Sequence, residues 1–341
     1  MSCEDEIMQY TKRAYLMLFG SVAFASSAFA EWNDNARIAI DFSSRTLHKF
    51  EMDETAFIHA AGIDSHKVFS NKSGDWGTLT GQLYLARIDN LTPRPGFFKD
   101  DHDWELTYRI FNLNITALPG DLPNFKIGHI ELPFGIEHTI DTNGTFRDYN
   151  LARNLGVKAD WGIGLNKQYE DWEYEFTLTT GGGQSLDRGD GSYIATGRVA
   201  TNRDNNLIFG LSLYQAELSD IERDRAAIDI QYFQGLWGTF FELAVGSKGT
   251  TDQLDGLLEV NWRNPTESWF IYSQLQYFSE DRLLSSNQEA TSLIVGVRYF
   301  PDNKWDISAN LNHDIDQFDE KQQDTRLGIQ IRYRSYENDH E

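Results

Sequence analysis

The stretch EHTIDTNGTFRDYNLA, residues 137–152, gathers unlike ionisable side chains in one place. It holds carboxylates at Glu137, Asp141 and Asp148, an imidazole at His138, a guanidinium at Arg147 and a phenol at Tyr149. Carboxylates and a guanidinium opposed across a narrow opening create a local field that orients the dipole of a small polar solute, which is the chemistry of selective passage. Bond-breaking chemistry is less well marked. No Gly-x-Ser-x-Gly elbow occurs, so a catalytic Ser/His or Asp/His pair would have to come from residues the sequence does not single out. His313, Asp314 and Asp316 lie close together without metal-ligand spacing, and neither a metal nor a cofactor is expected. The tripeptide Arg188-Gly-Asp190 sits among Gly, Asp and Ser and reads as turn composition.

Groups on a loop can be held in register only by rigid elements on either side. From Leu155 to Leu165 every odd-numbered residue except Ala159 is large or apolar, with Gly, Lys and Asp between. The pattern restarts on even numbers at Trp172, Tyr174, Phe176 and Leu178, separated by Glu173, Glu175 and Thr177. Later runs repeat it, among them Leu207–Leu213, Leu293–Tyr299, Trp305–Leu311 and Leu327–Tyr333. A period of two means strands with one apolar and one polar face. The pattern predicts strands near 36–43, 56–69, 76–88, 103–116, 124–135, 153–166, 172–180 and 193–202. It continues near 206–216, 224–233, 237–247, 254–263, 268–278, 290–300, 304–313 and 324–335. That makes about sixteen, with fourteen or eighteen also compatible.

Composition narrows the class. Aromatic residues make up 13% of the chain, against 7 Pro and 27 Gly, a balance suited to antiparallel β structure. A formal net charge of −22 argues against nucleic acid as a partner, because phosphate binding needs basic patches. Residues 15–30, YLMLFGSVAFASSAFA, follow Lys12 and Arg13 and end in Ala-Phe-Ala, which predicts a signal peptide over residues 1–30 and one domain over 31–341. The 16 apolar-rich residues are fewer than the roughly 20 a spanning helix needs. Glu4, Asp5 and Glu6 do not suit a signal's basic start, so Met8 is the expected initiator. Cleavage would remove Cys3, the only cysteine, and with it any disulfide or thiolate chemistry.

Connections after even-numbered strands are short, such as NKSGD, RDN and PDN, whereas the long ones follow odd-numbered strands. A soluble sandwich has no reason to separate them this way. A transmembrane antiparallel β-barrel does, with short periplasmic turns, long external loops and both termini on one side. Aromatic pairs beside the short turns, Tyr169 with Trp172, Trp262 with Trp269 and Tyr299 with Trp305, fit a girdle at the membrane–water interface. All-β architecture as such a barrel is the expectation.

The chain resembles Gram-negative outer-membrane porins in this architecture and in two stretches. Arg326–Tyr333 is similar to the C-terminal strand signal read by the barrel assembly machinery, although Ser335–Glu341 trails beyond it. KIGHIELPFGIEHT, Lys126–Thr139, is similar to the Pro-Phe-Gly strand end of phosphate-selective O/P-type porins, which leads into a third external loop that narrows the lumen. Their dense Arg/Lys ladder is missing, so phosphate specificity is not carried over. The resemblance implies a passive diffusion porin embedded in outer-membrane lipid, a homo-oligomer and commonly a trimer, with loop 136–152 as the constriction. Two other classes remain alternatives: a barrel enzyme of lipase or protease type, or a barrel that sheathes a partner protein.

The constriction candidates are therefore Glu137, His138, Asp141, Arg147 and Asp148. Alternation assigns Lys158, Asp160, Arg198, Glu242, Glu259, Arg263, Arg298, Arg326, Arg332 and Arg334 to the lumen. The bases cluster on the last strands, which predicts a transverse field across solvated lumen charges and a weak cation preference.

Overall fold

The computed structural model describes residues 35–91, 102–140, 143–149, 154–186, 189–281, 288–316 and 324–336. The expected signal segment and Met8 lie outside these residues, as do Asp141 and Arg188. The chain forms sixteen antiparallel strands in a closed barrel, each paired with its sequence neighbours. The first eight are β1 (Ala36–Lys49), β2 (Glu54–Asn71), β3 (Gly74–Asp89), β4 (Trp104–Ile115), β5 (Asn124–Glu131), β6 (Ala159–Gln168), β7 (Trp172–Thr179) and β8 (Tyr193–Thr201). The remainder are β9 (Leu207–Leu218), β10 (Ile221–Gln234), β11 (Trp237–Lys248), β12 (Thr251–Arg263), β13 (Trp269–Asp281), β14 (Gln288–Tyr299), β15 (Trp305–Asp316) and β16 (Thr325–Tyr336). β1 closes the barrel on β16 from Ala39↔Tyr336 to Lys49↔Arg326, so no strand edge is left as a template for aggregation.

The period of two becomes two faces of one wall. On β9 the outward Leu207, Phe209, Leu211 and Leu213 are 42–68% exposed in the isolated chain, while the intervening Ile208, Ser212 and Tyr214 are buried inside. The chain's mean hydropathy of −0.50 is compatible with this belt because only one face of each strand is apolar. Rings gather at the short-turn end of the wall: Tyr169–Trp172 across one turn at 4.7 Å, and between neighbouring strands Trp269–Tyr299 at 4.5 Å and Trp305–Tyr333 at 5.0 Å between centroids.

Three expected boundaries move. β1 runs 14 residues, well beyond 36–43, and joins β2 through a tight hairpin. β5 stops at Glu131 rather than 135, because Pro133 has no N–H for the ladder and Gly135, at φ +61°, turns the chain inward. A Cβ on Gly135 would collide with the Glu242 carboxylate unless that side chain moved, so the turn and the close approach both favour glycine there. β6 starts at Ala159 rather than 153. Leu155, which continues the outward alternation in sequence, is fully buried with Leu132, Phe134, Ile194 and Tyr214 inside the barrel, and Val157 packs against that cluster.

Early termination of β5 leaves the upper part of β4 without a strand on that side. Their pairing covers only Phe111↔His129 to Ile115↔Phe125. Gln184 closes the gap: Tyr108 N–H donates to its Oε1 at 2.8 Å and its Nε2 donates to the Tyr108 carbonyl at 2.7 Å. One side chain thus supplies both hydrogen bonds of a missing strand residue.

Candidate functional site in the barrel lumen

The segment between β5 and β6 is built from what its sequence can anchor. Its entry is fixed by backbone donors: Gly135 N–H to Ser212 Oγ at 3.0 Å and Ile136 N–H to Glu242 Oε2 at 2.7 Å. The Leu155 carbonyl, near its exit, accepts from Tyr214 Oη at 2.7 Å. Between these ends it reaches the opposite wall. Gln330 Nε2 donates to the Gly144 carbonyl at 2.6 Å, Arg332 Nη1 donates to the Asn143 carbonyl at 2.7 Å, and Asn143 Nδ2 donates to Tyr84 Oη at 2.6 Å. The described residues of this segment therefore touch inward side chains of β3, β9, β11 and β16.

Arg147 makes the densest contact. Its Nε and Nη2 donate to the two oxygens of Glu259 at 3.1 and 2.6 Å. Tyr149 Oη and Gln274 Nε2 donate to the same carboxylate at 2.7 and 3.0 Å, and Asn261 Nδ2 adds a 2.7 Å bond. Glu259 is fully buried, so these donors take the place of its hydration shell. The guanidinium also lies over Tyr149, Phe240 and Phe270 at 5.0–5.6 Å from their centroids. Asp148 is held through its backbone, which exchanges hydrogen bonds with Gln274 and accepts from Gln276 Nε2 at 2.8 Å. Glu137 is buried and receives Lys158 Nζ at 2.5 Å. His138 Nε2 lies 3.5 Å from Glu175, which also pairs with Lys126 at 2.5 Å.

The wall residues are brought together in pairs. Arg198 is bidentate to Asp229 at 3.2 and 2.7 Å, and both are buried. Arg298 meets Asp306 at 3.1 and 2.5 Å, Arg326 meets Asp314 at 2.8 Å twice, and Arg334 meets Asp64 at 2.5 Å. Arg332 reaches Asp41 at 2.9 Å through Nε. Asp160 is buried and accepts from the Gly181 and Gly183 amides at 2.5 and 2.8 Å, so it anchors the segment after β7. Arg263 meets Glu267 at 3.3 Å, a pair with both side chains at least half exposed.

Two sequence expectations are corrected by this pairing. Many of the lumen charges are not solvated but buried and bonded to one another. The bases of β14 and β16 each have an acid beside them, which reduces the transverse field. The acids on the first strands, Asp41 and Asp64, and the bridging Tyr84 between them at 3.0 and 2.8 Å were missed. Their phase against the outward Ile40, Phe42, Ile63 and Leu83 carries the signal, and all three lie inside the expected strands 36–43, 56–69 and 76–88; what the phase does not give is the contact between them, which needs three strands side by side. Among the described residues no group of three or more His, Cys, Asp or Glu side chains is arranged to hold a metal ion.

Compared by sequence, the chain matches no family model and no curated protein. Solved structures resemble it strongly in shape. Salmonella typhi OmpF, in complex with daunomycin, aligns at TM-score 0.67 with 8% identity, covering 89% of this chain and 99% of that one. OmpT, an outer-membrane protein of Vibrio cholerae in its loop L8 deletion form, aligns at 0.64 with 12% identity over 89% and 100%. The anion-selective porin of Comamonas acidovorans aligns at 0.60 with 11% identity over 88% and 98%. The chain has the fold of these outer-membrane β-barrels.

Proposed function

We propose that the chain is a porin of the bacterial outer membrane, a passive channel for small hydrophilic solutes or ions, and that segment 136–152 constricts its lumen. The observation that carries this reading is the division of one closed wall into an apolar outer belt and a charged inner face spanned by that segment. Export through residues 1–30, handling by the barrel assembly machinery and a homo-oligomeric state belong to the same reading. A solved neighbour described in its trimer form supports the last of these. Catalysis plays no part in it.

At this constriction Lys158, its side chain about half exposed beside the buried Glu137, is the charge a passing solute meets, while the buried Arg147–Glu259 pair holds the segment across the lumen. Because the inner face is largely paired, conduction is expected to be small and weakly cation-preferring. Single-channel recording of the full-length mature protein in a planar bilayer, with reversal potential across a KCl gradient, tests the proposal. Stable steps that grow in Arg147→Ala support it. A folded barrel with no conductance overturns it.

A further inference from the structure

Above the segment's crossing, a cavity of about 260 Å3 opens between it and the inner face of β1, β2 and β14–β16. We propose that this cavity binds a small, neutral, polyhydroxylated solute, with a monosaccharide as the type. This rests on the porin reading and names a solute class for it.

The argument starts from polar atoms that are buried and lack a partner. Asn310 Oδ1, Asn312 Oδ1 and Arg326 Nε find no hydrogen-bond partner among the described residues, and all three side chains line this cavity. Asn310 is only 8% exposed. A buried carbonyl or N–H without a partner is costly, and each of these atoms is closed to water where its side chain stands, so a guest gains their bonds by drawing the two amides and the guanidinium round toward the cavity that their side chains line. Two amide oxygens ask for donors and one guanidinium N–H asks for an acceptor. A hydroxyl is both, and neighbouring hydroxyls on one ring can answer all three.

Charge points the same way. Lys49 and Arg326 are balanced by Glu54 and Asp148 on the lining, and Lys49 lies 3.6 Å from Glu54. No net charge is left to select an ion. The remaining wall is apolar, with Leu47, Ile294 and the Phe146 ring, which suits the C–H face of a sugar ring. Gly328 opens the space: a Cβ there would meet the Phe146 ring and the Asn310 amide.

The test uses the full mature chain refolded in detergent micelles, with glucose as the probe and saturation-transfer NMR as the readout. Folding of each variant is checked by heat-modifiable gel migration. Saturable glucose binding is expected. The double variant Asn310→Ala/Asn312→Ala is expected to weaken it at least about tenfold, since two hydrogen bonds of about 1 kcal/mol each are lost. Phe146→Leu, on the segment rather than the wall, is expected to weaken it several-fold and keeps the test alive if the wall variant does not fold. Absence of saturable binding to the folded wild type, or equal binding by a folded variant, overturns the proposal. Binding is read without conduction. Glucose bound by a non-conducting barrel would therefore sink the porin reading alone, and a conducting barrel blind to glucose would sink this one alone.

Discussion

Arg147 and Glu259 show how a single pair can govern the segment that carries it. Removing the guanidinium leaves a fully buried carboxylate with three neutral donors, and loss of one partner of a buried pair costs about 3–5 kcal/mol. Arg147→Ala is expected to fall near the lower end of that range, because Tyr149, Gln274 and Asn261 stay. Urea-gradient unfolding followed by gel mobility measures it, and a loss within experimental error would mean the pair contributes little to holding the segment. A second residue-scale test lies outside the spanning strands, in the β1–β2 hairpin. Glu51 accepts from the Thr325 amide at 2.6 Å and from its hydroxyl at 3.2 Å, while its own N–H donates to Asp324 Oδ1 at 3.1 Å. A hydrogen bond from Asp324, followed by the Thr325 amide, lowers the Glu51 carboxyl to about 2. Burial, followed by the hydrogen bond to Glu51, raises that of Asp324. A carboxyl lowered on folding contributes stability above its unfolded value and loses it as pH falls through its folded value, whereas a raised one works in the opposite sense. The hairpin clasp by Glu51 should thus persist well into acid. Carboxyl carbon NMR should find Glu51 titrating near 2 and Asp324 above the ordinary aspartate range; ordinary midpoints for both would refute the clasp.

Among the elements, β5 decides the interior. It is short, it ends at Glu131 just before Pro133, and the residues that follow turn inward. Its neighbours must therefore curve closely around it. Gly128 on β5 sits at φ +132°, where a Cβ would run into the Phe111 carbonyl and Asn112 backbone of β4. It lies opposite Gly162 of β6, where a Cβ would likewise meet the backbone of β7. Two glycines in register let four strands coil tightly at this corner. Gly128→Ala is expected to cost about 1–3 kcal/mol from backbone strain alone, and more once the clash is added. It should slow or prevent refolding into micelles, whereas Gly256→Ala, on β12 without a positive φ and with the nearest atoms 4.0 Å from a Cβ, should refold normally. Equal refolding of the two variants would show that the corner tolerates side chains.

For the whole molecule, the outer belt is not uniform. On most strands the outward residues are Leu, Ile, Val or Phe. On β1–β3 they include Ser44, Thr46, His48, His59 and Arg87, with Ser44 bonded to His59 at 3.0 Å and His48 to Thr55 at 3.0 Å. Ser44 and Thr46 pair in register with Ile331 and Ile329 of β16, both about half exposed on the outer wall. Polar groups facing lipid are costly and hydrogen bonds between subunits would satisfy them. If the proposed porin assembles as a homo-oligomer, this sector is where the subunits are expected to meet. The double variant His59→Leu/Arg87→Leu should shift the protein toward monomer in detergent, as read by light scattering with size exclusion, while leaving the barrel folded. An unchanged oligomer would move the interface elsewhere, and a monomeric wild type would remove it.

The sequence by itself determined the barrel. A period of two maintained from residue 36 to 333 fixes which face of each strand is apolar, and that local property needs no knowledge of neighbours. It also points to about sixteen strands, leaving fourteen or eighteen open, and to the short turns and the phase of residues such as Arg198, Glu259 and Arg332. Only the tertiary structure decided what those inward residues do, because pairing depends on contacts between strands far apart in the chain. Arg332 and Asp41 are separated by 291 positions, and Arg147 and Glu259 by 112. The same limit explains Leu155. Its apolar side chain keeps the outward phase, and sequence cannot distinguish a residue facing lipid from one buried by a segment folded back inside the wall, since both environments exclude water.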